Sequence, residues 1–440
     1  MKKLIDLLMI FMLAVSIAAA QGAPGERKGS GFVVIKAARI IDGRGGEPIS
    51  NGAVVVSDDK IIAVGPLASI TVPAGARVID LGDATLMPGF IDAHTHIIGR
   101  VLGDPALDNA DVRDVDSFGA ILSVENARRT LMAGFTTIRV LGSPNFDDIA
   151  LRKAINEGWT PGPRILTAAH SFGITGGHCD ENGFKPGLAD KDYRTGVADG
   201  VDEVRKAVRY QVKYGADVIK ICATGGVLSE GDAVGATQYT YEEMKAVVDE
   251  ANKLDRRVAA HAHGTEGIKL AVRAGVTSIE HGSFMDEEAA KMMAAKGTFL
   301  VPTLMAGEGV ERLALSGVLK GLRGEKALAA AAAMRKGLKI AVANGVKIAL
   351  GTDAGVIPHG TNAHEFTLMV DWGGLTPMQS IIAGTLNAAK LLGLEKSIGS
   401  LEAGKTADIV AVSGDPLKTI KLMETLPIFV MKNGTIYKEK

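Results

Sequence analysis

Residues 86–96 read LMPGFIDAHTH, an apolar run from Leu86 to Ala93 that ends in His94-Thr95-His96. The run is short, apolar and followed by polar residues, as expected of a buried strand. Side chains at i and i+2 of a strand point to one face, so the two imidazoles project together. Two histidines in a surface loop would give the same three letters. What decides between them is how the rest of the chain ends its strands.

Working outward, seven more short runs suited to strands follow, with amphipathic helical patterns between them. They are Thr136–Val140, Arg164–Thr167, Val218–Ala223, Val258–Ala262, Ser278–Glu280, Phe299–Thr303 and Lys347–Gly351. Such alternation calls for a parallel α/β fold. Eight strands with intervening helices predict a (β/α)8 (TIM) barrel over residues 88–397. An open doubly wound sheet is the alternative, because periodicity does not prove closure. Thr240 and Glu243 predict a capping box before an apolar face of Met244, Val247, Val248, Ala251 and Leu254. Thr376, Pro377 and Gln379 predict a second one.

The two ends read differently. Phe32–Ile41, Ala53–Val64 and Arg77–Leu81 are short strands broken by turns, and Asp408–Val412, Ile428–Lys432 and Thr435–Tyr437 resemble them. Asn433-Gly434 is a type I′ hairpin signal. Residues 31–87 and 398–440 are therefore expected to meet in a small β-sandwich domain, with residues 21–30 as a flexible lead-in. Lys2 and Lys3, the apolar stretch Leu7 to Ile17 and Ala18-Ala19-Ala20 predict a signal peptide over residues 1–20. The apolar stretch falls short of the roughly 20 residues that span a bilayer. The mature protein is thus expected to be periplasmic or secreted, with no membrane partner after cleavage.

At 440 residues and 47% hydrophobic, the chain can bury a large core. Its 49 basic and 50 acidic residues form no like-charge block, which argues against a nucleic-acid partner. Only Cys179 and Cys222 are present, each beside a suspected site residue. They are expected as unpaired thiols lining a pocket, although export would permit a disulfide.

Other strand ends repeat the signal of His94 and His96. His261 and His263 end the fifth strand, His281 the sixth and Asp353 the eighth. Neutral imidazole and carboxylate suit divalent zinc and its relatives. Placed at one end of different barrel strands, they would converge where such folds keep their sites. Lys220 lies inside the apolar strand Val218-Ile219-Lys220-Ile221, where a charged ammonium is costly. Burial would favour its neutral, nucleophilic amine. It could instead reach out past the strand end or pair with Asp353.

The ordered set PGFIDAHTH (88–96), VIKICATGGV (218–227), VAAHAHG (258–264), SIEHGSFMD (278–286), GTDAG (351–355) and GSLEAGKTADIVAV (399–412) resembles the amidohydrolase superfamily. Within it the chain is similar to the prolidase-like (Xaa-Pro dipeptidase) and imidazolonepropionase-related branch. The resemblance implies a binuclear centre of two divalent ions, zinc the first choice, bridged by carboxylated Lys220. It assigns His94, His96 and Asp353 to the more buried ion and His261 and His281 to the second. His263 has no matching ligand role and is expected to support a ligand or the fold instead of holding an ion. It further implies a metal-bridging hydroxide that attacks an amide, with Asp353 carrying the proton. Many relatives assemble, so a homo-oligomer is expected.

The implied substrate is a small molecule, a dipeptide or N-acyl amino acid, including aryl amides of the ochratoxin type. His178, in the glycine-rich loop Ser171–Gly183, is expected to donate to the substrate carbonyl, with a solvent-exposed turn as the alternative. Tyr239 is expected at the substrate carboxylate. A cyclic-amide hydrolase would lack the lysine in the fourth strand, and a non-catalytic barrel would have lost ligands. Gly399–Thr406 (GSLEAGKT) matches a phosphate-loop pattern, but a strand rather than a helix is expected after it, so no nucleotide is implied.

Overall fold

The computed structural model describes residues 23–107 and 110–440, so the signal peptide expected over residues 1–20 lies outside the described residues. Strands β1 (Phe32–Ile40), β2 (Ile49–Ser57), β3 (Lys60–Pro66), β4 (Arg77–Asp80) and β5 (Ala84–Pro88) open the chain. Eight parallel strands follow: β6 (Phe90–Thr95), β7 (Phe135–Val140), β8 (Arg164–Thr167), β9 (Val218–Cys222), β10 (Arg257–Ala262), β11 (Ser278–His281), β12 (Phe299–Val301) and β13 (Lys347–Ile348). Strands β14 (Ile409–Ser413), β15 (Phe429–Lys432) and β16 (Thr435–Glu439) close it.

The parallel strands hydrogen-bond as one sheet in the order β6-β7-β8 and another in the order β13-β12-β11-β10-β9. Helices α1 (Ser117–Met132), α2 (Asp147–Asn156), α3 (Gly200–Lys213), α4 (Tyr241–Lys253), α5 (Thr265–Ala274), α6 (Glu287–Lys296), α7 (Leu304–Leu315) and α8 (Gly321–Ala343) run between the strands. Both expected capping boxes form. Thr240 accepts from the Glu243 N–H to start α4, and Thr376 accepts from the Gln379 N–H to start the helix Pro377–Ile382. No helix among the described residues is long and apolar enough to cross a membrane.

Leu86–Ala93 is two strands, not one. The break is at Gly89, whose N–H donates to the Asp408 carbonyl. A Cβ there would stand 2.2 Å from Thr136 Oγ1, so the chain passes β7 closely enough to require glycine. The residues before the break join one sheet and those after it another, and an apolar pattern running through both conceals the switch.

Both chain ends share one mixed sheet of eight strands, because β5 pairs with β1 on one side and with β14 on the other. Hydrogen bonding joins these strands without a break from β16 to β3. Asn433 and Gly434 turn β15 into β16 with φ of 50° and 72°, the left-handed geometry that the type I′ turn needs. Residues 23–30 carry no regular structure but are tied down, with Gly25 N–H on the Glu157 carbonyl and Gly29 N–H on that of Asn433. Strand β14 follows the phosphate-loop-like segment, as expected.

Candidate active site

The ends of the parallel strands surround a cavity of about 400 Å³ lined by His94, His96, His178, Lys220, His261, His263, His281 and Asp353. His94, near the end of β6, and His96, just past it, both approach Asp353, whose Oδ1 lies 3.4 Å from His94 Nε2 and 3.3 Å from His96 Nε2. This is one group of possible ligand atoms, all within 4.8 Å of one another. His261, His263 and His281 form a second group within the same limit. The His263 ring is stacked on that of His281, with 4.8 Å between centroids.

Each imidazole is oriented by a buried partner. His94 Nδ1 meets Glu280 Oε2 at 2.9 Å, and His96 Nδ1 donates to the Gly142 carbonyl at 3.2 Å. His263 Nδ1 meets the Ser283 hydroxyl at 2.6 Å and His281 Nδ1 the Thr303 hydroxyl at 2.7 Å. His261 Nε2 faces the Gly225 carbonyl at 3.2 Å. Glu280 is held in turn by Arg139 Nη2 at 2.9 Å, and Arg139 Nε donates to the Ala93 carbonyl at 2.6 Å. Asp353, His281 and Thr303 all carry positive φ, of 59°, 70° and 49°. Such backbone strain in non-glycine residues clusters where side-chain direction matters.

Lys220 is 3% exposed, and burial is the main force pulling its ammonium down to about 8, opposed by the charges of Glu280 and Asp353. Glu280 is ion-paired with Arg139, and Asp353 lies within 3.4 Å of the His94 and His96 rings. Burial likewise pushes the Asp353 carboxyl up to about 6, with the Lys220 charge working against it. The four site histidines His94, His96, His261 and His281 are all depressed by burial first and by neighbouring charge second. They are neutral at pH 7, the form in which imidazole binds metal.

Two expectations are corrected. Tyr239 is buried away from the cavity, and its hydroxyl donates to the Ala198 carbonyl at 3.0 Å. An aromatic ring at the end of a loop packed into the core here, so it is not placed to meet a substrate carboxylate. Cys179 and Cys222 are joined by a disulfide. After β8 the chain runs beside β9, with Phe172 N–H on the Lys220 carbonyl and Cys222 N–H on that of Phe172. That pairing brings the two Cα atoms to 6.0 Å, within disulfide reach, while both residues still line the cavity.

Sequence reasoning missed the supports of the site, chiefly Glu280, Arg139, Asp92 and Asp232. Asp92 accepts from Thr352 Oγ1 at 2.6 Å and from Asn362 Nδ2 at 2.7 Å, which ties β6 to the loop bearing Asp353. Arg139 and Glu280 sit inside apolar strands, the same signal that drew attention to Lys220.

Strand-end histidines, one carboxylate and a buried lysine thus line a single cavity, and two groups among them could hold metal ions. Residues 85–437 match the amidohydrolase family, and the chain belongs to it. It is a hydrolase of amide bonds. The chain is 35% identical to the ochratoxinase of Aspergillus niger over 92% of its own length and 86% of that protein's. It is 27% identical to an imidazolonepropionase of Symbiobacterium thermophilum over 83% of its length and 84% of the relative's. Among solved structures, a Xaa-Pro dipeptidase with methionine bound in its active site superposes with a TM-score of 0.87 at 39% identity, covering 92% of this chain and 100% of that one.

Proposed function

We propose that this protein is an exported two-metal hydrolase that releases the C-terminal amino acid from dipeptides or N-acyl amino acids. The observation that carries the reading is the presence of two donor groups, His94–His96–Asp353 and His261–His263–His281, on one cavity with Lys220 close by. The donors fit divalent ions of the zinc type, because they are imidazoles, joined in the first group by the Asp353 carboxylate, gathered within 4.8 Å in each group.

In this reading His94, His96 and Asp353 would hold one ion and His261 and His281 the other. Lys220, if its amine took up carbon dioxide with loss of a proton, would offer the resulting carbamate to both ions. When bound, the ions would supply Lewis acidity toward the scissile carbonyl and lower the pKa of the attacking water. The Asp353 carboxylate takes the proton of that water and delivers it to the departing nitrogen. The imidazoles stay neutral and fixed, each by the partner on its other face.

We read residues 88–397 as a closed (β/α)8 barrel and residues 31–87 and 398–440 as the smaller β unit. Closure is supported by two parallel bridges beyond the named strands, Phe172 with Ile221 and Thr95 with Ala354. Export is supported by the disulfide, which persists in oxidising compartments. We also propose a homo-oligomer; light scattering that returns the mass of a single chain rejects it.

The substrate class is supported by relatives named for dipeptide and ochratoxin hydrolysis. Ochratoxin-type aryl amides belong in the test. Metal-loaded protein is incubated with a library of dipeptides and N-acyl amino acids, and free amino acid is measured. Release from a subset is expected. Release from no member rejects the reading and turns attention to cyclic amides, the class of the imidazolonepropionase relative.

A further inference from the structure

A hydrogen-bonded chain runs from α8 across the loop after β9 and ends at the cavity. Lys326, buried on α8, donates to the Ser229 carbonyl at 2.8 Å, the Asp232 carbonyl at 3.1 Å and Asp232 Oδ1 at 3.0 Å. Three bonds occupy its three ammonium hydrogens. Asp232 Oδ1 also receives the Ser229 hydroxyl at 2.7 Å, and Oδ2 receives the Gly226 N–H at 3.2 Å and Gln238 Nε2 at 3.1 Å. Four donors on one carboxylate require it to be ionised. Burial works against that, but the bonds from Ser229 and Lys326 outweigh it and hold Asp232 below the usual carboxylate range.

Ser229 has a single hydrogen to give. A 2.7 Å contact with an ionised carboxylate needs that hydrogen, and the Gly226 carbonyl at 3.4 Å is the weaker taker. Toward His178 Nδ1, 3.0 Å away, the Ser229 oxygen is therefore an acceptor, and Nδ1 carries the hydrogen. Neutral imidazole has only one N–H, so Nε2 is left as a lone pair. The ring lines the cavity and lies against that of His261, 4.2 Å between centroids. Its backbone is pinned as well, by Gln238 Oε1 on its N–H at 3.0 Å and by the neighbouring Cys179 disulfide.

We infer that Lys326, Asp232 and Ser229 position His178 as a hydrogen-bond acceptor whose Nε2 takes an N–H of the bound substrate. The N–H comes from the scissile amide or from the α-ammonium of a dipeptide. This reverses the donor role expected for His178 from the sequence. The substrate half of the inference rests on the amide-hydrolase reading above; the placement of the imidazole hydrogen does not.

The test has two arms. Histidine ¹⁵N spectra of the zinc-loaded full chain, with His178 assigned by its loss in His178→Gln, are expected to show Nδ1 protonated and Nε2 bare. A protonated or metal-bound Nε2 overturns the inference. In the kinetic arm, Ser229→Ala is expected to lower kcat/KM about tenfold, the scale of one hydrogen bond, and Ser229→Thr to restore most of it. Matched substrates lacking either the scissile N–H, by N-methylation, or the α-ammonium, by acylation, identify the donor. Losing the true donor should cost the wild type about tenfold and Ser229→Ala almost nothing. If both losses cost the two proteins equally, the acceptor role fails while amide hydrolysis stands. If no amide is cleaved, the functional reading fails and the spectra still decide the position of the hydrogen.

Discussion

His94 and His281 each commit one ring nitrogen to a buried partner, but the partners differ in kind. His94 Nδ1 meets the Glu280 carboxylate at 2.9 Å, and Arg139 grips the far side of that carboxylate. His281 Nδ1 meets only the Thr303 hydroxyl at 2.7 Å, and His263 the Ser283 hydroxyl. A carboxylate behind an imidazole fixes its direction and raises its basicity, whereas a hydroxyl mainly fixes direction. The difference teaches that one half of the site depends on a fully buried charge network and the other on neutral contacts. Its robustness to mutation should be just as uneven.

The largest effect is expected from Arg139→Met. It leaves Glu280, which is fully buried, without its cation, a loss on the order of 3–5 kcal/mol. Denaturant unfolding checks this, and wild-type stability in the variant would break the contrast between the two halves. Next comes Glu280→Gln, expected to weaken metal binding by about 10–100-fold in competition with a chelator. Thr303→Val in the same assay should lose about tenfold or less. Equal losses would show that the charge behind His94 contributes nothing special.

A separate effect, read in pH dependence, concerns Glu365, which accepts from the Leu304 and Met305 N–H groups at 2.8 Å each, just past Thr303. Burial pushes its carboxyl up to about 8, partly opposed by those two bonds. Its folded value lies above the unfolded one, so between them the native state holds more proton than the unfolded state. The stability it adds is complete below about 4.5 and is lost as pH rises through about 8. Tm should therefore fall from pH 5 to pH 8, and Glu365→Gln should flatten that fall. A variant with the same slope as the wild type removes Glu365 as the cause.

The sequence made the site legible wherever a residue broke the pattern of its own strand. Lys220 is a charge inside VIKIC, and the histidines and Asp353 sit at strand ends where apolar runs stop. Arg139 in FTTIRV and Glu280 in SIEH carried the same signal, and applying the rule evenly would have found them. Direction was not legible. Tyr239 stands in a loop near the site, but whether its ring enters the cavity or the core depends on packing that local pattern does not encode. The disulfide depended on Phe172 pairing beside β9, a contact between residues far apart in sequence. Lys326 and Asp232 are 94 residues apart, and nothing in either segment announces the other. The fold followed the same rule, with β10, β11 and both capping boxes placed to within a residue and the switch at Gly89 hidden by apolar residues on both sides.

Metal content per chain, measured on purified wild type and on Lys220→Ala, tests the central claim most directly. About two ions per chain are expected in the wild type and one or fewer in the variant, with turnover lost. A wild type that binds no metal, or a variant that keeps both ions and its activity, would contradict the shared role given to Lys220.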